Sequence, residues 1–321
     1  MAAMKRKTVL VTGGAGSIGS HVVDRLVARG DRVIVVDDFN DYYDPKIKWA
    51  NVGGHEGKVN FRVIKLDIRD IKLWKILAKE KVEAVVHMAA RAGIRPSLVE
   101  PELYWSVNVM GTLNLLEGMR KCRVNQLVFA SSSSVYGIRE SGPFKETDNT
   151  DRQISPYGAS KKAKEVLCAT YAHLYGIKTT GLRFFTAYGP RNRPDMACYL
   201  FVEAISHDKP ITVFGDGSSG RDYTYIEDIA DGVVAAVDNP MVYEIINLGG
   251  SKPTRLSDLI ETIEKAMGKR AVIEREAEKP GDVQMTYADT NKAQRLLRWR
   301  AKTDLERGIR QLVAWYEQEK R

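Results

Sequence analysis

The sequence predicts an α/β protein built on a Rossmann-type, doubly wound parallel sheet, with a smaller C-terminal α/β domain. Three observations lead to this prediction. Short, continuous apolar runs alternate with segments of helical periodicity, as in buried parallel strands joined by right-handed helical crossovers. A glycine-rich turn connects the first apolar run to a helix. The elements become shorter after residue 186, so we place one domain over 1–185, to which parts of 225–250 return, and a second over 186–321.

Composition and charge exclude several classes of protein. The 321 residues are 44% hydrophobic and 28% charged, which is typical of soluble globular proteins. The chain has no apolar run of about 18 residues for a membrane span and no signal-peptide pattern, so we expect a cytoplasmic protein without membrane contact. Its net charge of +8 suits an anionic ligand, but the scattered basic residues do not predict nucleic-acid binding. The three cysteines are expected to be reduced thiols, with neither a disulfide framework nor a metal site.

The first strand and the turn after it carry the strongest binding signal. Residues 8–12 form an apolar strand that leads into a glycine-rich turn and an amphipathic helix. In this context the glycines allow a tight turn, an approach of a diphosphate to backbone N–H groups, and close packing of helix on strand. The motif therefore predicts a dinucleotide site. The residues of this turn assigned to that site are Gly13, Gly16, Ser17, Ile18 and Gly19.

The second strand, residues 32–36, ends in Asp37. An acidic side chain at this place hydrogen-bonds the adenosine ribose hydroxyls and repels a 2′-phosphate, so the sequence predicts NAD rather than NADP. The next loop is rich in turn formers and aromatic residues, and we expect Asp38 and Asn40 in it to border the ribose.

The following strands extend the same site. Residues 61–66 form a third strand ending in Asp67 and Ile68, which can flank adenine. The fourth strand, residues 84–88, leads to Ala89, Ala90 and Arg91, where small side chains let the backbone approach a cofactor. A helix over 108–120 and a fifth strand over 126–130 bring the chain to four consecutive serines, 131–134.

A tyrosine and a lysine four residues apart follow the serines. Pro156 predicts a helix that starts near Ser155, so Tyr157 and Lys161 share one helical face. An ammonium close to a phenol favours the phenolate and lowers its pKa. This pair predicts that Tyr157 is a general base.

The glycine turn, Asp37, Ser132, Tyr157 and Lys161, in this order, resemble the extended short-chain dehydrogenase/reductase family and its nucleotide-sugar epimerases and dehydratases. The resemblance covers essentially the whole chain. It implies that Ser132, Tyr157 and Lys161 are catalytic, that residues 1–185 bind NAD and that 186–321 bind a UDP-sugar. It also implies further contacts to NAD, from Asn108, Ser131, Tyr157, Lys161 and Phe184.

Four segments resemble the UDP-glucuronate 4-epimerases of that family: 41–45, 130–137, 183–190 and 193–197. This resemblance implies reversible conversion of UDP-glucuronate to UDP-galacturonate through a 4-keto intermediate, with transient hydride transfer to tightly bound NAD. Related dehydratases carry an Asp-Glu pair after the active-site hydroxyl, and decarboxylases a Glu. This chain has Ser133 and Ser134 there, and hydroxyls cannot supply that acid or base chemistry. Thr186 replaces the Asn of galactose-type epimerases, which also favours a uronate.

The predicted substrate site combines these residues with cations of the second domain. A guanidinium pairs bidentately with a carboxylate, so Arg193 is placed against the uronate carboxylate. By resemblance, Arg221 binds the diphosphate and Asp282 the uridine ribose. The full predicted set is Arg95, Ser132, Ser133, Ser134, Tyr157, Thr186, Arg193, Arg221 and Asp282.

The resemblance also implies a homodimer, formed by helices near 101–122 and 155–175. Three alternatives remain open at this stage. The first is a UDP-glucose/UDP-galactose or UDP-N-acetylhexosamine 4-epimerase, the second is a UDP-glucuronate decarboxylase, and the third is a catalytically silent NAD-binding protein.

Overall fold

The helices and strands of the protein were defined from a computed structural model that describes residues 6–139, 142–277 and 285–319. Strands β1 to β13 are Thr8–Thr12, Arg32–Asp37, Phe61–Lys65, Ala84–His87, Gln126–Ser132, Lys178–Phe184, Thr186–Tyr188, Pro210–Phe214, Gly220–Tyr225, Tyr243–Leu248, Pro253–Arg255, Val272–Glu276 and Met285–Thr286. Helices α1 to α12 are Ser17–Ala28, Pro45–Gly53, Lys72–Lys79, Ile94–Val99, Pro101–Trp105, Gly111–Cys122, Pro156–Tyr175, Ala197–Ser206, Ile226–Asp238, Leu256–Met267, Asn291–Leu297 and Leu305–Glu319.

A seven-stranded sheet forms the centre of the first lobe. Its strand order is β10-β6-β5-β4-β1-β2-β3, and every neighbouring pair is parallel. The chain leaves β1 toward β2 on one side and returns to β4 on the other, so a crevice opens at the carboxyl ends of β1 and β4. The predicted fold class, a doubly wound Rossmann-type sheet, is confirmed.

Both faces of this sheet are apolar because alternate strand residues point to opposite sides. On one face, Val9 and Val11 pack with α1, α9 and α11. On the other, Leu10 and Phe129 pack with α3, α6 and α7. Helices on both faces exclude water from the sheet, so polar groups at the ends of its strands occupy fixed positions.

The second lobe is built from small sheets and its own core. Strand β9 pairs with β11, β13 and β7, and β8 pairs with β12. A separate apolar cluster joins α8, α10 and α12 to β8. The chain crosses between lobes more than once, because β10 pairs with β6 in the large sheet and α9 packs on α1. The domain boundary at residue 186 stays a prediction.

Several elements differ from the sequence-based expectations. Residues 45–53 form a helix that was not predicted, in which Asp44 caps the N-terminus by accepting a hydrogen bond from the Lys46 N–H and Pro45 takes the first helical position. The helix expected over 108–120 begins as an α-helix only at Gly111, after a π-helical turn from Ser106 to Met110.

Two global features concern the environment of the chain. Within the ranges that the structure describes, no helix combines the length and apolar character needed to span a bilayer. All three cysteines lie within those ranges, and each is a free thiol.

Candidate functional site

The glycine turn lies at the carboxyl end of β1 and lines a cleft of about 440 Å³. Gly13 has a φ of +67°, and a Cβ atom added there would stand 2.5 Å from the Ala89 backbone nitrogen. A Cβ added to Gly19 would overlap the Gly13 carbonyl. Gly16, Ser17 and Ile18 complete this wall, and α1 starts at Ser17. We call this cavity the glycine-loop cleft; its shape and the helix N-terminus suit a diphosphate.

The far end of the cleft is acidic. The Asp37 carboxylate accepts hydrogen bonds from the Ala15 N–H at 3.1 Å and the Phe39 N–H at 3.0 Å. Burial raises the pKa of Asp37, and these two bonds oppose that effect. Asp38 accepts from the Asn40 side chain at 2.7 Å, which orders the turn. The cleft is lined here by Asp37, Asp38, Asn40, Asp67 and Ile68.

Ser132, Tyr157 and Lys161 meet at the other end of the glycine-loop cleft. Ser132 ends β5, and Tyr157 lies in the first turn of α7, whose N-cap Ser155 accepts a hydrogen bond from the Gly158 N–H. The Ser132 hydroxyl lies near the Tyr157 phenol and acts to lower its pKa. The Lys161 ammonium donates to the Ala130 carbonyl at 3.0 Å and lies 5.7 Å from the centre of the Tyr157 ring.

The ionisation of this pair differs from the expectation. Burial raises the pKa of Tyr157, and the Ser132 hydroxyl and the charge of Arg193 lower it only in part. The predicted lowering by Lys161 is wrong for the protein alone, because the desolvation of the phenol outweighs the protein's charges. Burial also lowers the pKa of Lys161 to about 8, with the charge of Arg193 in the same direction and Glu165 opposing both.

The small-residue segment after β4 forms a third wall of the cleft. Ala89, Ala90 and Arg91 line the cleft, whereas Asn108 is fully buried and is not among the lining residues. The Asn108 amide accepts from the Arg91 N–H at 2.8 Å and donates to the Arg91 carbonyl at 3.0 Å. Asn108 therefore fixes the segment that faces the cofactor.

The serines at the end of β5 and directly after it have different surroundings. The Ser131 hydroxyl donates to Glu165 at 2.6 Å, and Glu165 in turn forms a buried ion pair with Arg183. Ser133 and Ser134 line the cleft, as does Phe184 at the end of the neighbouring strand.

A second cavity, of about 720 Å³, lies in the second lobe; we call it the lobe cavity. Arg95 and Arg221 both line it, with the Arg95 guanidinium 5.0 Å from the centre of the Phe214 ring. The residues shared with the glycine-loop cleft mark the junction of the two cavities: Thr186, Ala187, Asn192 and Met196. The predicted residue Asp282 lies outside the described residues.

Arg193 lies at this junction and is held by an acid. Its guanidinium forms a bidentate pair with Asp195, with N–O distances of 2.9 and 2.8 Å. Arg193 lines the glycine-loop cleft and Asp195 the lobe cavity, so the pair spans the boundary between them. The guanidinium also lies 5.6 Å from the centre of the Tyr42 ring.

The residues of the site that the sequence analysis did not assign include Lys48, Tyr43 and Asn192. Lys48 and Tyr43 line the glycine-loop cleft, and the Lys48 ammonium donates to the Asn40 carbonyl at 2.7 Å. An Asp followed by a Pro is a signal for a helix N-terminus. The Asp44-Pro45 pair therefore predicts the start of α2 and places Lys48 near its first turn. Asn192 carries no sequence signal of its own, because its place depends on how the loop after β7 folds back.

Comparisons with known proteins agree with this geometry. The model of the NAD dependent epimerase/dehydratase family matches residues 9–249. The chain is 44% identical to the UDP-glucuronate 4-epimerase of Thermodesulfobacterium geofontis, over 95% of each chain. The crystal structure of UDP-glucuronic acid 4-epimerase from Bacillus cereus, with UDP-glucuronic acid and NAD, superimposes with a TM-score of 0.92 at 36% identity, over 97% of this chain and 99% of that one. The UDP-glucose 4-epimerase of Thermotoga maritima, with UDP-glucose, gives 0.87 at 31% identity, over 98% and 99%.

A glycine-loop cleft at the switch point of a parallel sheet defines a dinucleotide-dependent enzyme, and the chain belongs to the NAD dependent epimerase/dehydratase family. The predictions of this family and of NAD as the cofactor are confirmed.

Proposed function

We propose that the protein interconverts UDP-glucuronate and UDP-galacturonate by inverting C4 of the sugar. The observation that carries this proposal is the position of Arg193 and Thr186. They lie at the junction through which a sugar must pass to have its reacting carbon near Tyr157 and its diphosphate in the lobe cavity. A guanidinium and a hydroxyl at that place suit a carboxylate on the sugar.

Tyr157 takes the proton of the 4-hydroxyl group, and Ser132 hydrogen-bonds the same oxygen. NAD, when bound, accepts the C4 hydride and returns it to the opposite face of the ring. The positive charge of Lys161, 5.7 Å from the centre of the Tyr157 ring, works against the effect of burial on the phenol but does not outweigh it in the protein alone. Burial raises the pKa of Tyr157 in the protein alone, and the positive charge of the nicotinamide ring would oppose that effect when NAD is bound.

The residues around the carboxylate also determine which product forms. A 4-keto uronate is a β-keto acid that loses carbon dioxide readily. Ser133 and Ser134 line the cleft and bring no acid or base to that step. With Thr186 and Arg193 they hold the carboxylate and retain it, so the product is a uronate and not a pentose.

A comparison of sugars tests the proposal. Purified, NAD-loaded protein is incubated separately with UDP-glucuronate and UDP-glucose, and the products are identified by NMR and mass spectrometry. We expect UDP-galacturonate from the first substrate, and little UDP-galactose from the second. A preference for UDP-glucose would instead support a neutral-sugar epimerase, as in the Thermotoga maritima relative. A UDP-pentose product would support decarboxylation, and no turnover of any sugar would support a silent NAD-binding protein.

The protein further functions as a homodimer in the cytoplasm. Large apolar side chains are exposed along the helices predicted to form the contact, including Trp105, Met110, Val166 and Leu174. Large apolar side chains exposed on helices of this kind are consistent with an interface between subunits. The free thiols of all three cysteines agree with a reducing compartment. Light scattering of the wild type and of Val166→Arg tests the dimer: the wild type should have twice the monomer mass, and the variant should be monomeric.

A further inference from the structure

The loop after β7 holds a buried amide whose role the proposed reaction does not yet use. The loop is fixed from α1, because His21 Nε2 bonds the Pro190 carbonyl at 3.0 Å and Arg191 pairs with Asp24 at 2.8 Å. These two contacts are made by the two residues that immediately precede Asn192. The position of Asn192 is therefore set by the same helix that follows the glycine turn.

The two ends of the Asn192 amide have different surroundings. Its Oδ1 accepts a hydrogen bond from the Arg193 N–H at 3.0 Å. Its Nδ2 is buried and has no partner among the described residues. Turning the amide over would place two N–H donors against each other, so the observed orientation is the favoured one. A buried donor without a partner costs free energy, which indicates that a ligand group completes its bonding.

The location of Asn192 identifies the part of the ligand that it meets. The residue is 4% exposed and belongs to the walls of both the glycine-loop cleft and the lobe cavity. Only the sugar of a UDP-sugar occupies this junction, if its C4 is near Tyr157 and its diphosphate near Arg221. Thr186 lines the same junction. Arg193 directly follows Asn192 in the chain and lines the glycine-loop cleft.

We propose that Asn192 is a specificity-determining residue whose Nδ2–H group donates to the carboxylate of the uronate sugar. An anionic acceptor gives the amide a stronger bond than a sugar hydroxyl does. The bond from the Arg193 N–H to Asn192 Oδ1 holds the donor in place beside the guanidinium. This inference rests on the proposed function for the identity of the sugar, but it is tested by binding and not by turnover.

The test compares Asn192→Ala with Asn60→Ala. Asn60 is a matched control, because its amide has partners in the Val27 and Asp31 carbonyls and lies outside both cavities. Dissociation constants of the NAD-loaded proteins are measured by calorimetry for UDP-glucuronate, UDP-glucose and UDP. Thermal midpoints are measured without sugar.

For Asn192→Ala we expect about a tenfold weaker affinity for UDP-glucuronate and less than about a twofold change for UDP-glucose and UDP. The thermal midpoint should change little, because the substitution removes an unpaired donor together with the acceptor of the Arg193 N–H. Asn60→Ala should lower the midpoint and leave all three affinities unchanged.

Asn192→Asp is the second variant; it keeps the acceptor for the Arg193 N–H and replaces the donor by a carboxylate oxygen. It should weaken UDP-glucuronate binding by about 100-fold. The inference is overturned if Asn192→Ala binds UDP-glucuronate as the wild type does. It is also overturned if that variant loses affinity equally for all three ligands, or loses stability without losing UDP-glucuronate selectivity. A wild type that binds UDP-glucuronate selectively and does not epimerise it would contradict the proposed function alone.

Discussion

The two cavities of the protein are constructed differently. The glycine-loop cleft is formed at the carboxyl ends of consecutive parallel strands of one sheet, with both faces of that sheet packed. The lobe cavity is formed by α4, α8, short strands and loops, and its lining residues include Arg95, Thr186, Phe214, Arg221 and Glu276. A single continuous sheet fixes its edge residues rigidly, whereas loops on a small scaffold can differ between relatives. We infer that the cleft sets the chemistry, and that the junction between the two cavities, with Arg193 beside it, sets the sugar.

Two arginine pairs illustrate the same difference. Arg183 and Glu165 lie on neighbouring elements of the first lobe, and their side chains are only 4% and 3% exposed. Their charges stay paired because separating them would leave a buried ion without a partner. In the Arg193–Asp195 pair the aspartate is 43% exposed. Water can solvate that aspartate, so the Arg193 guanidinium is available to a substrate carboxylate.

The largest effect is expected from a substitution that removes the reacting phenol from the glycine-loop cleft. Tyr157→Phe should lower kcat by about 10³-fold, since general acid–base groups contribute about 10²–10⁴-fold. Binding of NAD and the thermal midpoint should change little. Tyr175→Phe is the matched control, because Tyr175 is at the other end of α7 and is partly exposed. Turnover of Tyr157→Phe at the control's rate would remove Tyr157 from the mechanism.

The second-largest effect is a loss of preference between sugars, expected from a substitution at the junction between the two cavities. Arg193→Gln should lower the ratio of kcat/KM for UDP-glucuronate to that for UDP-glucose by about 100-fold, because a hydrogen bond to a charged group contributes about 1.5–3 kcal/mol. Arg310→Gln is the control, since Arg310 pairs with Glu306 within α12 and lines neither cavity. Steady-state kinetics with UDP-glucuronate and UDP-glucose measure this ratio for the wild type and both variants. An unchanged ratio in Arg193→Gln would place the carboxylate elsewhere.

A smaller effect is expected from the glycine turn. Gly13→Ala should weaken NAD binding by roughly 10–100-fold, because the positive φ and the nearby Ala89 nitrogen impose about 1–3 kcal/mol of strain. Gly53→Ala is the control, because a Cβ there has no atom within 4 Å. Fluorescence titration of both variants with NAD measures the difference. Equal affinities would show that the cleft tolerates a side chain at the turn.

The smallest effect is a change in pH dependence. Burial lowers the pKa of Lys161 to about 8, so its ammonium is lost as the pH rises through that value. The kcat of the wild type should therefore fall severalfold above about pH 8. The guanidinium of Lys161→Arg stays charged over this pH range, so the residual kcat of that variant should not fall. Lys162→Arg, which replaces a lysine bonded to Thr150, should retain the wild-type profile. A basic limb shared by all three proteins would assign it to another group.

The sequence predicted the cleft better than the lobe cavity, for a physical reason. The residues from Gly13 to Asp37, and the serines after β5, are placed by local strand and turn signals, so their common edge follows from the fold class. The pKa of Tyr157 depends on burial by distant elements, and its direction was therefore predicted incorrectly. The Arg193–Asp195 pair and the unpaired Asn192 amide arise from the folding back of one loop, for which no periodic pattern exists.

The central claim is that one enzyme-bound hydride leaves C4 of an acidic sugar and returns to the opposite face. The most direct test is turnover of UDP-glucuronate deuterated at C4, with unlabelled NAD and buffer in excess. The account predicts UDP-galacturonate that keeps its deuterium at C4. Loss of the deuterium to solvent or to added NAD, or its recovery in a UDP-pentose, would contradict the account.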